Sequence, residues 1–352
     1  MKYSIAKIVG FDVEDSYKWQ ETLFFNYNLA SINENDYESC KSFIKISYSH
    51  ELQMDDTREI ADGVYIGQGF IIDKEFGAKI EKKDFGYHLT VSQECNEWLV
   101  VCFQLLLLEN GYSLIHAAGL EKESKAMLLP SWGGVGKTAT VVKMVKDNGW
   151  KLLGDDLLII DSKGNVIPFL KPFVIYGYHE PLFPELFKQK RGIIIRNHSI
   201  SDALRKFIPS IKKMLRIMPG LLAFARKHNP HSMRIKPSEV FFEEQLSKGA
   251  IVSQVTWLER LPAIGMVKTL KNEQIVSKIT AVTILEVFGE RINAINIMCG
   301  SGIFNFSDLY VKMHNVISKS LEGITSTQLT IPTEVPIENV GDKVIEYLEG
   351  QK

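Results

Sequence analysis

The sequence predicts an α/β core preceded by a small β-rich unit. Three observations carry this. From Ser113 onward, strand-like and helix-like runs alternate. At Ser131–Thr138 a glycine-rich turn hands a strand over to a helix. In the first ~90 residues, apolar and polar residues alternate between turn signals.

Within residues 1–92, FIKISYS (Phe43–Ser49) and parts of GVYIGQGFIIDKEF show this alternation, and GYHLTVS (Gly86–Ser92) closes the set. The turns are DDT, DG and KKDFG. The boundary falls just before NEWLVVCFQLLLLENGY, which reads as a buried helix of about four turns and opens a second domain over residues 93–352. SLIHAAGLE and KAMLLP are strands. TATVVKMVKDNGW is a helix with an apolar face of Val141, Val142 and Val145 and an Asn-Gly stop. KLLGDDLLIIDSKGNVIP holds a pair of strand-like runs, the second turned by Asp161–Asn165. GAIVSQVTWLERL is a strand, Phe306–Leu321 a helix, and STQLTIP and VGDKVIEYLEGQK finish as strand and helix.

At 352 residues the chain can bury a real core and hold two domains, and its 45% hydrophobic and 24% charged content is that of a soluble globular protein. The four cysteines, Cys40, Cys95, Cys102 and Cys299, form no CxxC pair, so reduced thiols are expected. The opening MKYSIAKIVGFDVEDS has no apolar leader core, and no apolar run reaches the ~20 residues that a membrane span needs. A cytoplasmic location is expected.

The net charge of −1 hides an asymmetry. Lys188–Lys236 contains thirteen of the 41 basic residues and one of the 42 acidic ones, Asp202, leaving 28 basic against 41 acidic residues elsewhere. Such a block faces either solvent or an anion, and it reads here as a basic insertion or lid over 188–236, with an acidic partner in view.

The chemistry concentrates at SWGGVGKT. It follows the phosphate-loop spacing G-x-x-x-x-G-K-[ST] at seven of eight positions, with Ser131 where the pattern has Gly. Gly133, Gly134 and Gly136 allow backbone angles that turn N–H groups inward around phosphate oxygens, and the helix N-terminus adds positive potential. The expected nucleotide contacts are Gly133, Gly134, Val135, Gly136, Lys137, Thr138 and Ala139. Lys137 would neutralise the outer phosphates and Thr138 would ligate Mg²⁺. Seventeen positions after Thr138, Asp155 and Asp156 end an apolar strand. Adjacent strand residues point in different directions, so one carboxylate can face a metal and the other a nucleophile. His116 lies about 20 residues before the loop; alone, such a histidine is most often a core or surface residue.

The order of these pieces changes that reading. His116-Ala117, then Gly133–Thr138, then Gly149-Trp150-Lys151-Leu152-Leu153 with Asp155-Asp156 resembles the catalytic domain of the HPr kinase/phosphorylase family and its wider HPr-kinase-like group. The resemblance covers mainly Ser113–Phe173. It implies a P-loop, carboxykinase-like core, ATP with Mg²⁺, Lys137 on phosphate and Thr138 on the metal. It further implies Asp155 as base oriented by His116, with Asp156 supporting the metal, although the sequence gives neither carboxylate priority. The family's downstream Leu-Glu-x-Arg-Gly-x-Gly segment has only KQKRGIIIRN to answer it, and the first ~90 residues do not look like that family's N-terminal domain. The layout is closer to HPr-kinase-like tailoring enzymes that phosphorylate a serine of a ribosomally made peptide, the lasso-peptide kinases. A kinase also needs a cation on the transferring group, and Arg191 or Arg196 of the basic block is the candidate.

The expected function is thus ATP- and Mg²⁺-dependent transfer to a hydroxyl of a peptide, a protein or a small molecule, with a homo-oligomer compatible with the family. An NTPase without transfer is the alternative. A GTPase lacks its N-K-x-D, and Asp161-Ser162-Lys163-Gly164 reads better as a hairpin turn than as D-x-x-G. The basic block lacks the regular aromatic interleaving of a nucleic-acid groove, so no nucleic acid is expected. No additional metal-ligand set favours a carboxykinase reaction.

Overall fold

The computed structural model describes residues 1–17, 19–27, 37–61, 63–188, 232–262, 265–305 and 307–350. The chain first builds an eight-stranded sheet: β1 (Lys2–Ile5), β2 (Val9–Val13), β3 (Ser42–Tyr48), β4 (Arg58–Ala61), β5 (Val64–Gly67), β6 (Phe70–Asp73), β7 (Ala78–Lys83) and β8 (Gly86–Val91). Their spatial order is β1-β2-β3-β8-β7-β6-β5-β4. The pairs β2–β3 and β3–β8 are parallel and the rest antiparallel. The alternating stretch around Ile66 and Ile71 is a hairpin, closed by Gln68 and Gly69, the latter at φ +79°. Helix α1 (Gln20–Tyr27) lies between β2 and β3 in sequence.

Helix α2 (Asn96–Glu109) follows, 14 residues long, with its side chains from Trp98 to Leu108 buried except Val100. A helix apolar on every side needs neighbours on every side. It has them: α2 packs on β2, β3 and β8 of the first sheet and on β9 (Tyr112–Lys122) of the second. Gln104, the polar break in its apolar run, is fully buried yet satisfied. Its Nε2 donates to Ser113 Oγ at 3.0 Å and its Oε1 accepts the Leu114 N–H at 2.7 Å, which fixes the start of β9 against the helix.

The second sheet adds β10 (Lys125–Pro130), β11 (Lys151–Gly154), β12 (Leu157–Asp161), β13 (Asn165–Ile167), β16 (Ala250–Leu261), β17 (Met266–Leu270) and β18 (Thr325–Pro332). A separate two-stranded ribbon pairs β14 (Phe173–Tyr176) with β15 (Ser232–Ile235). The pairings β10–β9, β9–β12, β12–β13, β13–β16 and β16–β10 close on themselves. Beyond that ring, β18 lies between β16 and β17.

Helices cover both faces. α3 (Lys137–Asp147) and α7 (Val340–Glu349) pack on one, and α4 (Asn272–Phe288) and α6 (Lys312–Ser320) join α2 on the other, with α5 (Ile292–Gly300) beside them. Strand β10 shows why KAMLLP reads as a continuous apolar run. Ala126 and Leu128 face the α2/α4 side, while Met127 and Leu129 face the α3/α7 side, so both faces are buried. The expected helix over Phe306–Leu321 begins as a π-helical turn, Ser307–Val311, and continues as α6. Among the described residues no helix is long and apolar enough to cross a membrane, and the four cysteines are free thiols. The fold is therefore mixed α/β.

Candidate functional site

The glycine-rich turn sits between β10 and α3. Gly134 and Gly136 have φ of +75° and +101°, angles that a side chain resists. Gly136 is doubly constrained, because a Cβ there would come within 2.8 Å of the Val340 side chain on α7. Val135 and Ala139 are buried, so they offer the loop's interior only backbone groups.

Lys137, the first residue of α3, is 9% exposed. Its Nζ donates to Ser131 O (3.1 Å), Ser131 Oγ (2.9 Å) and Trp132 O (3.0 Å), and lies 3.1 Å from His116 Nε2. Burial lowers its pKa, with Asp155, Asp156 and Glu286 opposing. Ser131, where the pattern has glycine, thus supplies two of the lysine's acceptors. Trp132 is 40% exposed and meets buried Trp257 edge-on.

β11 and β12 run antiparallel to β9 as one strand broken in the middle: Gly154 pairs with Gly119, and Leu157 with His116. The break carries the two carboxylates. Thr138 Oγ1 donates to Asp155 Oδ2 at 2.8 Å. Asp156 turns the other way, with Oδ1 3.4 Å from His116 Nδ1 and Oδ2 accepting from Lys171 Nζ at 3.0 Å. The contact of Asp156, rather than Asp155, with His116 differs from the pairing that the family resemblance implies. Asp155 was expected with His116, and Asp156 at the metal. The break between Gly154 and Leu157 instead turns Asp155 toward α3 and Asp156 toward β9.

Electrostatics separates the two acids further. Burial, reinforced by the neighbouring Asp156 charge, pushes Asp155 up to about 7 against the Thr138 hydrogen bond and Lys137. Burial acts the same way on Asp156, but the Lys171 ammonium, with His116 and Lys137, outweighs it and holds the carboxyl below its ordinary range. Burial and the facing Lys137 lower His116 to about 4, so the ring is neutral at pH 7. Its partners assign the proton to Nδ1, facing Asp156, and leave Nε2 to accept from Lys137. The His116 backbone N–H donates to Thr283 Oγ1 of α4 at 2.9 Å, which ties this strand to the helix behind it.

Mg²⁺ can be tested against these oxygens. Asp155 Oδ1 is buried without a hydrogen-bond partner among the described residues, while Oδ2 is bonded to the Thr138 hydroxyl. An orphaned carboxylate oxygen beside a hydroxyl fits a hard divalent cation completed by phosphate oxygens and water. Among the described residues no group of three or more His, Cys, Asp or Glu could hold a metal.

His116 and Asp156 also border a cleft of about 610 Å³. Its lining also includes Asn26 and Tyr27 of α1, Asn96 and Glu97 at the start of α2, and the ribbon residue Arg234. Arg291 lies at its edge, with Nη1 2.7 Å from Asp73 Oδ2 of β6. Asp156 keeps 47% of its side chain exposed, so it can meet a molecule in the cleft.

The structure brings together His116, the loop glycines, Lys137, Thr138, Asp155 and Asp156. Arg191, Arg196 and most of the 188–236 block lie outside the described residues. Sequence reasoning missed Lys171, Thr283, Glu286 and Arg291, and it counted Arg234 only as one cation of the basic block. Lys171 had a weak signal, a lone cation before Pro172 downstream of the two acids; the others belong to no local motif. No family model matches the chain, and no curated protein matches it.

Proposed function

We propose that the chain is an HPr-kinase-like P-loop kinase that transfers the γ-phosphoryl group of ATP to a hydroxyl held in the cleft. One observation carries this reading. The acid beside Thr138 and the acid facing the cleft are adjacent residues, and Lys137, next to Thr138, reaches the same His116 that meets the second acid. A phosphoryl donor on the loop and an acceptor in the cleft would then meet between them.

Mg²⁺ on Thr138 and Asp155 would neutralise charge on the phosphate oxygens. Lys137 exchanges its loop carbonyls for phosphate oxygens. Asp156, ionised at neutral pH, accepts a hydrogen bond from the acceptor hydroxyl and orients it. As the new P–O bond forms and the bond to the departing β-phosphate oxygen breaks, the hydroxyl proton passes to Asp156. A loose transition state asks for a positioned carboxylate more than a strong base, which suits an acid held below its ordinary range. Lys171 and neutral His116 fix that carboxylate.

The layout's likeness to peptide-tailoring kinases makes a peptide serine the first acceptor to try, with small alcohols second. A reducing compartment and a homo-oligomer belong to the same reading. The test is label transfer from γ-labelled ATP with Mg²⁺ into peptide, protein and small-molecule fractions. Asp156→Asn should lower transfer by about 10²–10⁴-fold while nucleotide still binds. Asp155→Asn should weaken Mg²⁺-dependent nucleotide binding itself. Free phosphate released at an unchanged rate by Asp156→Asn, with no labelled acceptor, would leave an NTPase instead.

A further inference from the structure

Two of the cations bordering the cleft are already matched by acids: Lys171 by Asp156 and Arg291 by Asp73. Arg234 is different. It sits on β15 opposite Val174 of β14 and is exposed, and its Nη1 donates to the Asn26 side-chain oxygen of α1. Among the described residues no carboxylate pairs with it. An amide oxygen aims a guanidinium without neutralising it, so a planar fork of donors is held at the cleft wall with its charge intact.

The two glutamates on the same cleft are engaged in other ways. Glu97 stands in the first turn of α2, where unpaired helix N–H groups favour a negative charge. Glu286 stands over the phosphate loop, 3.7 Å from where a Cβ on Gly133 would be, and its charge acts on Lys137.

We propose that Arg234 is the anion-reading end of the acceptor site: the molecule whose hydroxyl meets Asp156 also carries a carboxylate or phosphate that pairs with this guanidinium. Placing the acceptor there rests on the kinase reading, but the pairing is a binding event and can be measured without transfer. A bidentate Arg–oxyanion pair selects by geometry as well as charge, so lysine should replace it only in part. Asn26 acts as its positioning residue and brings the N-terminal sheet unit into acceptor recognition.

The probes are two fluorescein-labelled serine peptides, one flanking the serine with aspartates and the other with asparagines. Their binding is read by anisotropy in the presence of a non-hydrolysable ATP analogue and Mg²⁺. Wild type should bind the aspartate peptide about 10-fold more tightly. Arg234→Gln should bring that ratio close to one, and Arg234→Lys should keep part of it. Labelled-nucleotide affinity and Tm should stay at wild-type values in both variants, because Arg234 is exposed and its side chain bonds to Asn26 rather than to the loop. Displacement of the aspartate peptide by millimolar glycerol phosphate would assign the anion to a small acceptor, and its failure to displace would assign it to a peptide carboxylate. Equal binding of the two peptides by wild type, or a preference that survives Arg234→Gln, would overturn the proposal; the latter would place the preference on other cations of the basic block instead. A preference that follows Arg234 while no label is ever transferred would keep this site and remove the kinase reading.

Discussion

Asp155 and Asp156 are neighbours in the chain with opposite charge behaviour, and the difference is measurable in stability. Asp155 is raised from 3.8 to about 7, so between those values the folded chain holds a proton that the unfolded chain has released. Its contribution to stability therefore falls as pH rises through that window. His116 is lowered from 6.5 to about 4, so there the unfolded chain holds the extra proton and stability rises with pH. The two slopes oppose each other between about pH 4 and 6.5. Asp155→Asn removes only the first. Without Mg²⁺, its Tm should exceed that of wild type by about 3 °C at pH 7.5 and by almost nothing at pH 4. A gap of the same size at both pH values would contradict the buried-acid account. At this scale the site was partly legible. The loop residues, His116 and the two acids stand out because the phosphate-loop spacing is rigid and the acids end a strand. Which acid meets which partner was not legible, because a break in one strand ladder decides it, and no local sequence rule sets how Gly154–Leu157 turns.

Between elements, the most heavily buried charge among the described residues links the first sheet to the cleft. Asp73 of β6 is 1% exposed, and its Oδ2 accepts both Trp98 Nε1 of α2 (2.9 Å) and Arg291 Nη1 (2.7 Å). The Arg291 guanidinium also lies over the Phe76 ring. Removing one member of a buried pair strands the other. Asp73→Ala should cost about 3–5 kcal/mol, read as a lower urea midpoint, whereas Asp73→Asn, which keeps an oxygen for Trp98, should cost less. Equal losses would assign the effect to packing rather than charge. Many elements could be read from the sequence, because apolar runs such as KAMLLP and alternating ones such as FIKISYS match strand periods. The sequence reading assigns nothing to Asn272–Phe288. That helix is rich in β-branched Ile, Val and Thr, which favour strands locally, and its burial against α2 and β9 overrides the preference. Thr283 and Glu286, both on this helix, were missed with it.

Across the whole molecule one apolar cluster runs without a gap from Phe11 and Ile44 in the first sheet, through α2, to Leu114 and Ile279 around the second. All strands of the first sheet precede Ser92, yet their buried face is shared with α2. Calorimetry should therefore show a single main transition, and a fragment of residues 93–352 should expose the α2 face and bind a hydrophobic dye in the absence of denaturant. Two resolved transitions, or a compact dye-free fragment, would show that the sheets fold independently. The charge asymmetry of the chain was plain in its composition, but its placement was not, since most of the basic block lies outside the described residues. The contact between Gly136 and Val340 has a consequence for the order of synthesis. The phosphate loop leaves the ribosome long before the helix that packs against it, about 204 residues later, a delay of roughly 10–40 s at ordinary elongation rates. Strand β18, which separates β16 from β17, is also late. A nascent chain stopped short of Val340 carries the whole loop motif without its backing, so the loop can be fully packed only once α7 has been made.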